Sequence, residues 1–192
     1  MTRLIPVVAC LSLFGLFDSI LHADENPVVL MKTTMGDFEI ELFKDKAPIT
    51  VENFLGYVKS GFYDGTLFHR VIPDFIIQGG GFEPGVKRKK TKPPIKNEAA
   101  NGLINKRGTI AASHTFLVID SAVSQFFINL NDNQDLDHRD KTPRGFGYTV
   151  FGRVRKGMDV VDKISAVKTK THGHLKDVPV KDIIVMSIKI VQ

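Results

Sequence analysis

The chain has 192 residues and a formal net charge of +5 at pH 7, and 43% of its residues are hydrophobic and 24% charged. This length fits one domain with a substantial core, and the composition excludes a disordered or fibrous protein. A basic balance is also found in nucleic-acid-binding proteins. The densest basic run, Lys87–Lys92, has no stacking aromatic residues beside it, so we predict a solvated loop there and no nucleic-acid partner.

Residues 1–23 have the pattern of a secretory signal peptide. Arg3 precedes an apolar run from Leu4 to Leu21, and the small Ala23 stands just before a polar stretch. A membrane anchor is the alternative, but a spanning helix needs about 20 apolar residues, and this run contains Asp18. We therefore expect cleavage of residues 1–23, leaving a mature domain of residues 24–192 with no membrane attachment.

Cys10 is the only cysteine, and it lies within the predicted signal peptide. The run Val7–Cys10 is similar to a lipoprotein acylation box, but the apolar sequence continues well beyond it, so a lipid anchor is the weaker alternative. After cleavage, the mature chain would have neither disulfides nor thiol chemistry.

The next segments predict a hairpin followed by a helix. The β-type run up to Thr34 and the alternation in Phe38–Phe43 indicate two strands that turn at Gly36–Asp37. The apolar period then becomes helical, with Thr50 as the candidate N-cap and Gly61 as the stop. The apolar positions of this helix are Val51, Phe54, Leu55 and Val58.

The rest of the chain predicts short strands and one more helix around Met158–Ile164. A long Gly/Lys/Pro-rich loop is expected over residues 79–106. The predicted strands are Leu67–Ile72, Phe75–Gln78, Gly108–Ser113, Gln125–Leu130, Tyr148–Val154 and Asp182–Val191. Many short strands with two isolated helices favour a mainly β protein built as a closed antiparallel barrel over a βαβ sheet.

Arg70 is the residue that most needs a functional explanation. It lies inside an apolar strand, where a charge is costly unless it is paired or used. Nearby segments supply aromatic walls and two amides but no general base or nucleophile, a combination suited to binding an apolar, hydrogen-bonding ligand without covalent chemistry. These segments are Phe68–Gln78, Ser124–Asn129 and the region of Leu136 and Tyr148.

Other candidate sites have weaker patterns. Gly79–Gly81 is not followed by the Lys-Ser/Thr pair of a phosphate-binding loop. His172 and His174 are closely spaced, but they lie in a polar stretch without thiols. No nucleophile-elbow pattern supports a hydrolase. We therefore predict neither a metal nor a cofactor.

These residues resemble the signature of the cyclophilin-type peptidyl-prolyl cis-trans isomerases. The resemblance covers residues 28–191 in family order and, with the leader, is greatest to the periplasmic cyclophilins of Gram-negative bacteria. The motifs are FHRVIP (Phe68–Pro73), FIIQGG (Phe75–Gly80), PIKNEA (Pro94–Ala99), NGL (Asn101–Leu103), RGTIA (Arg107–Ala111), SQFFIN (Ser124–Asn129) and VFGRV (Val150–Val154).

The resemblance implies a closed eight-stranded antiparallel barrel capped by two α-helices. It also implies that Arg70 is the catalytic arginine, acting with Phe75 and Gln78. The substrate-binding residues would be Ile76, Phe127 and Leu136 in the proline pocket, Gln125 along the substrate backbone, and His69, His114 and Tyr148 at the rim.

The expected partners are proline-containing unfolded or flexible polypeptides, bound by a monomer. Asp135 precedes Leu136 at a position where many family members have an aromatic residue, so we predict weak cyclosporin binding. Two alternatives stay open. One is a non-catalytic chaperone that uses the same groove, and the other is an interaction protein whose Lys87–Lys92 loop binds an anionic partner.

Overall fold

The structure, a computed structural model, describes residues 26–192. The predicted signal peptide, its cleavage site and Cys10 therefore lie outside the described residues. Within residues 26–192, no helix has the length and apolar character needed to cross a membrane.

The described chain contains twelve strands, two α-helices and two short 3-10 turns. The strands are β1 (Val28–Thr33), β2 (Gly36–Leu42), β3 (Phe68–Ile72), β4 (Ile76–Gly79), β5 (Phe82–Glu83), β6 (Lys87–Arg88), β7 (Thr109–Ala112), β8 (Phe126–Asn129), β9 (Val150–Lys156), β10 (Thr169–His172), β11 (Leu175–Pro179) and β12 (Val185–Ile190). The helices are α1 (Pro48–Lys59) and α2 (Met158–Ser165), and the 3-10 turns are Ala99–Asn101 and Gln134–Leu136.

Eight strands form one strongly curled antiparallel sheet in the order β12-β1-β2-β9-β7-β8-β4-β3. The prediction of a closed barrel is wrong, because the two edge strands, β3 and β12, do not form a ladder. They meet only near their first residues, through a single bridge between Leu67 and Ile184. Beyond that bridge, β3 runs beside β11 of a separate two-stranded hairpin, β10–β11.

The first hairpin has the predicted alternation of buried and exposed residues. Phe38, Ile40 and Leu42 of β2 are buried, and the residues between them are more exposed. The turn lies two residues earlier than predicted, because Thr33 pairs with Gly36 across the strands. The Thr33 hydroxyl donates a hydrogen bond to the Gly36 carbonyl at 2.7 Å, which closes the turn over the two residues between them.

Helix α1 is confirmed, but the prediction of Thr50 as its N-cap is wrong. The helix starts at Pro48, and the free backbone N–H groups of Ile49 and Thr50 donate to the Glu98 carboxylate at 3.1 and 2.8 Å. Glu98 lies 48 residues beyond Thr50, so local spacing could not reveal this cap. A carboxylate at this end also suits the positive pole of the helix dipole.

The sheet separates two apolar clusters. Helix α1 packs Phe54 into the concave side, where its ring centroid lies 5.3 Å from that of Phe151 and 5.8 Å from that of Phe126. Alternation along β8 places Phe127 with Ile76, Ala111 and Val150 in a second, smaller cluster. Phe127 therefore faces away from Phe126, which belongs to the larger cluster, as alternation along a strand requires.

The predicted loop over residues 79–106 contains a short hairpin, β5–β6. The basic run is held against aromatic rings rather than being simply solvated, since the ammonium groups of Lys89 and Lys92 lie 5.1 Å from the rings of Phe62 and Tyr57 respectively. Sequence proximity could not reveal these contacts, because both rings come from the region of α1.

Candidate active site

One row of neighbouring residues crosses the outer face of the sheet. Arg70 on β3 is the register partner of Gln78 on β4, and Gln78 is the partner of Phe127 on β8. Phe127 in turn is the partner of Ala111 on β7, which is the partner of Val150 on β9. Because paired residues in adjacent strands project to the same face, this register places a guanidinium, an amide and an aromatic ring side by side.

A cavity of about 260 Å³, here called the aromatic cavity, lies over this row. It contains eight of the ten predicted site residues together with Ser113 and Phe116. Its lining residues are Arg70, Phe75, Ile76, Gln78, Ser113, His114, Phe116, Phe127, Leu136 and Tyr148.

The floor of the aromatic cavity is apolar. Ile76 and Phe127 are buried, and Phe75, Leu136 and Tyr148 pack against their cluster. The Tyr148 ring meets the Phe127 ring edge to face, with centroids 5.5 Å apart. A compact apolar group such as a pyrrolidine ring would fit against such walls.

The Gln78 amide is fixed by two hydrogen bonds. Its Nε2 donates to the Ser113 hydroxyl at 3.1 Å and to the Gln125 Oε1 at 3.0 Å. Gln125 is thereby held beside the row at the start of β8. The pair presents amide groups suited to hydrogen bonding with a polypeptide backbone.

The guanidinium of Arg70 stands at the open end of the row. Its side chain is 41% exposed, and its Nε lies 3.8 Å from a carboxylate oxygen of Asp177 on β11. Within residues 26–192 this is its only ion pair. Because the contact is made at Nε, the terminal nitrogens of the guanidinium face other directions and can donate to a ligand.

The rim is formed by a stacked pair. The His114 ring lies on the Tyr148 ring with centroids 4.3 Å apart, and its Nε2 lies 3.1 Å from the Gly147 carbonyl oxygen. Its Nδ1 lies 3.0 Å from the Thr115 carbonyl oxygen. Burial raises the pKa of the Tyr148 hydroxyl, and the positive charge of Arg70 opposes that rise, so the phenol stays protonated and can donate a hydrogen bond.

The structure places His69 beneath the surface rather than at the rim. It is 5% exposed, and burial lowers its pKa to about 4, with the positive charges of Arg70 and Arg88 adding to the effect and a backbone hydrogen bond at Leu67 opposing it. Its Nδ1 is buried without a hydrogen-bond partner among the described residues. His69 is therefore neutral at pH 7.

A β-bulge explains the position of His69. The register steps from Phe68–Gly79 to Arg70–Gln78, so His69 is an extra residue in β3. Bulges redirect neighbouring side chains and are frequent beside active sites. The extra residue allows His69 and Arg70, although consecutive, to contact one cavity.

That cavity, here called the basic cavity, adjoins the aromatic cavity and has a volume of about 400 Å³. It shares Arg70 and Gln78 with the aromatic cavity, and it contains the two remaining predicted site residues. Its lining residues are His69, Arg70, Gln78, Phe82, Arg88, Gln125, His174, Leu175 and Lys176.

Sequence reasoning missed several of these residues. Phe116 is 62% exposed yet lines the aromatic cavity, and the unusually apolar segment around it was the available signal. Arg88, His174 and Lys176 come from two hairpins, β5–β6 and β10–β11, that the sequence did not predict. Among residues 26–192, no group of three His, Cys, Asp or Glu side chains is arranged to hold a metal ion.

The chain is similar to known proteins over most of its length. The family model for cyclophilin type peptidyl-prolyl cis-trans isomerase/CLD matches residues 28–190. The chain is 52% identical over 189 residues to peptidyl-prolyl cis-trans isomerase A of Dickeya dadantii, covering 98% of this chain and 97% of that protein. It is 53% identical over 163 residues to peptidyl-prolyl cis-trans isomerase B of Escherichia coli, covering 85% of this chain and 99% of that protein.

A solved structure has the same fold. The crystal structure of a Cryptosporidium parvum cyclophilin type peptidyl-prolyl cis-trans isomerase in the presence of the dipeptide Ala-Pro superposes with a TM-score of 0.74 at 26% identity, covering 86% of this chain and 99% of that one. The family match, the relatives and the fold agree over nearly the whole described region. The chain belongs to the cyclophilin-type peptidyl-prolyl cis-trans isomerase family.

Proposed function

We propose that this protein is a peptidyl-prolyl cis-trans isomerase that acts on X-Pro bonds of unfolded or flexible polypeptides. The observation that supports this most directly is the row Arg70–Gln78–Phe127, which sets a guanidinium beside an apolar cavity. The relatives carry the name of this activity, and the Cryptosporidium structure was determined in the presence of a proline dipeptide.

The chemistry requires rotation about a bond with partial double-bond character. The barrier is about 18–20 kcal/mol, because the nitrogen lone pair is delocalised into the carbonyl. As the bond twists, the lone pair localises on the prolyl nitrogen. A guanidinium N–H from Arg70 would then donate to that nitrogen and stabilise the twisted state more than either planar state, which is the requirement for catalysis.

Arg70 alone would not supply the whole acceleration. Lowering an exchange time of tens of seconds to milliseconds requires roughly four powers of ten, or about 5.5 kcal/mol. One hydrogen bond to a charged group contributes about 1.5–3 kcal/mol. The apolar walls would contribute the remainder by removing water and fixing the proline ring.

The other side chains have separate tasks in this mechanism. Phe75, Ile76, Phe127 and Leu136 would enclose the proline ring, since they form the apolar walls of the aromatic cavity. Gln78 and Gln125, fixed to each other, would hold the substrate backbone on one side of the rotating bond. His114 and Tyr148 would limit the cavity at the rim.

Replacement of the guanidinium tests the mechanism. Arg70→Ala should lower kcat/KM in a proline-peptide isomerisation assay by about 10- to 150-fold, the equivalent of one charged hydrogen bond. The kcat/KM of Arg70→Lys should lie between those of Arg70→Ala and the unmodified protein, because an ammonium keeps the charge but not the planar donor geometry. The control is Arg153→Ala, which removes an arginine that pairs with Glu41 outside both cavities.

Equal rates for Arg70→Ala and the unmodified protein would contradict the catalytic role and favour the non-catalytic chaperone. One observation gives that alternative some support. Phe116, Leu117 and Val118 form an exposed apolar tip beside the aromatic cavity, and such a tip can hold unfolded segments. The chaperone hypothesis predicts undiminished suppression of aggregation by Arg70→Ala and a loss of suppression by Phe116→Ser.

We also propose export to the periplasm. The Escherichia coli relative is matched over 99% of its own length yet covers 85% of this chain, and the family match begins at residue 28. The sequence before that point has the signal pattern described above. Fractionation of a Gram-negative host that expresses the full chain should recover periplasmic protein beginning at Asp24, whereas a product retaining Met1 or a lipid on Cys10 would contradict cleavage.

We also propose that the protein is a monomer and that it binds cyclosporin weakly. The side chain of Asp135 is 99% exposed, so a charge rather than an aromatic surface adjoins Leu136. Light scattering of the mature chain tests the first point. A cyclosporin titration tests the second, and nanomolar affinity would contradict it.

A further inference from the structure

We propose that the basic cavity binds the carboxylate of an acidic side chain on the same polypeptide whose proline occupies the aromatic cavity. This inference rests on the proposed isomerase function and specifies its preferred substrates. These would carry Asp or Glu two or three residues away from the proline.

The lining of the basic cavity includes basic side chains but no acidic ones. Arg70, Arg88 and Lys176 line it, and none of its lining residues has a carboxylate. Asp177 and Glu83 follow lining residues directly in the sequence, and both already have partners, since Asp177 pairs with Arg70 and Glu83 pairs with Lys89 at 3.3 Å.

Two of these cations are not neutralised. Among residues 26–192, no carboxylate lies within ion-pair distance of Arg88 or Lys176. Like charges brought together around a concave surface raise the local potential, and an incoming anion lowers it. The cavity therefore favours a negatively charged group.

The donors are also suitably placed. The guanidinium of Arg88 lies 5.9 Å from the centre of the Phe82 ring, which positions it beside the cavity wall. Arginine binds a carboxylate through two parallel N–H donors. Lys176, on the β10–β11 hairpin, lines the same cavity, so a carboxylate bound there can contact both cations.

The two cavities are close enough for one extended peptide. Arg70 and Gln78 line both of them, so the two cavities share part of their wall. An extended chain advances about 3.3–3.6 Å per residue, so a residue two or three positions from the proline lies about 7–11 Å from it. The Gln78–Gln125 amide pair lies in the path between them.

The test compares peptides that differ only in one carboxylate. Single-proline peptides would carry Glu or Gln at the second or third position before or after proline, with kcat/KM measured at low salt. At the favoured position, Glu should exceed Gln by about 3- to 10-fold, because two partly exposed ion pairs contribute modestly and are screened by salt. Addition of 0.5 M salt, about a fourfold reduction of the Debye length from 0.03 M, should remove most of the preference.

Two double variants test whether Arg88 and Lys176 cause the preference for Glu peptides. Arg88→Gln combined with Lys176→Gln should bring the Glu/Gln ratio close to one, with circular dichroism and thermal unfolding confirming that the variant folds. The matched control, Lys90→Gln combined with Lys170→Gln, removes the same charge from the same two regions of the chain but outside the lining of the cavity. This control variant should keep the Glu/Gln ratio of kcat/KM of the unmodified protein.

A ratio of one at every peptide position in the unmodified protein would overturn the inference. So would a preference that survives in the Arg88/Lys176 variant or is lost equally in the control. Failure of the proposed isomerase function would look different, because the Gln peptides themselves would then not be turned over.

Discussion

Gly81 lies where any side chain would collide with the Gln125 side chain. A Cβ built at Gly81 would lie 2.5 Å from Cγ of Gln125 and 2.8 Å from its Nε2. Gly81 has no positive φ, so the restriction comes from the neighbour and not from the backbone. The absence of a side chain at Gly81 leaves room for the Gln125 side chain, whose Oε1 accepts the hydrogen bond from Gln78.

Gly81→Ala should therefore damage the site more than the fold. The Gln125 side chain would be displaced and its hydrogen bond to Gln78 lost, which lowers kcat/KM by about 2- to 13-fold, the equivalent of about 0.5–1.5 kcal/mol. Peptide isomerisation and urea unfolding measure the two effects. Gly56→Ala is the control, since its Cβ would meet only the end of the Lys92 side chain, and unchanged activity of Gly81→Ala would contradict the role of the amide pair.

His69 makes the stability of the protein depend on pH. Its pKa in the folded state is about 4, lowered by burial, whereas the unfolded chain has the ordinary value of about 6.5. As the pH falls below about 6.5 the unfolded state binds the proton first, so the fold is progressively destabilised until the pH reaches about 4.

His69→Gln should remove this dependence. Between pH 7 and pH 4 the free energy of unfolding of the unmodified protein should fall by about 3 kcal/mol more than that of the variant. Urea unfolding at the two pH values measures the difference. The control is His172→Gln, which removes an exposed imidazole from β10 and should show the pH dependence of the unmodified protein. An equal change in the free energy of unfolding for all three proteins would contradict the assignment to His69.

The sequence predicted the chemical character of the site better than its geometry. Arg70 could be identified because a charge in an apolar strand is anomalous, and Phe127 because it lies in one of the motifs that carry the family resemblance. The bulge at His69 depends on register with β4, which no local pattern reports. Arg88 and Lys176 could not be found because their meeting depends on two hairpins outside the main sheet.

The β10–β11 hairpin is the element that adjoins both the sheet edge and Arg70. It runs beside β3 and supplies Asp177, which has a φ of 60°. Asp and Asn tolerate this left-handed conformation better than most residues. Asp177 can therefore face Arg70 from a position where most side chains would be strained.

Asp177→Asn should change charge while keeping the backbone conformation. Both side chains of the ion pair are about 40% exposed, so the free energy of unfolding should change by less than about 1 kcal/mol. Loss of the carboxylate leaves the positive charge of Arg70 uncompensated, and the preference for Glu over Gln peptides should rise by about 2-fold. A decreased or unchanged ratio would show that the Arg70–Asp177 pair does not govern the potential of the basic cavity.

Elements with one buried face could be predicted, and elements without one could not. β2 and α2 bury regular subsets of their residues, and their periods are visible in the sequence. All four residues of β10 are exposed, so it has no hydrophobic period to detect. The cap of α1 by Glu98 was missed for a different reason, because it joins residues far apart in the chain.

The whole molecule is an incompletely closed sheet with a seam between β3 and β12. At the seam, the Phe68 N–H donates to the Ile183 carbonyl at 2.9 Å and the Val185 N–H to the Thr66 carbonyl at 2.8 Å. The barrel predicted from the family resemblance differs at this place, because closure depends on how far two distant strands run together. Strand count and hydrophobic pattern do not determine that length.

Native-state hydrogen exchange should detect the seam. β8 is paired along both edges, with β4 and β7, whereas β3 has a full ladder only with β4. Amides of β3 should therefore exchange by local opening, with lower protection than amides of β8, which should require global unfolding. Equal protection of the two strands would show that the seam opens only together with the rest of the sheet.

The row from Arg70 to Val150 also sets the order in which this protein can become active. Its members come from five strands and are separated by up to 80 positions in the sequence, so no contiguous fragment shorter than that span contains the site. Long-range pairings of this kind form late, because their loop-closure entropy must be met first. During synthesis or refolding, recovery of activity would therefore coincide with completion of the sheet, and a chain proposed to accelerate the folding of others would be idle until its own is finished.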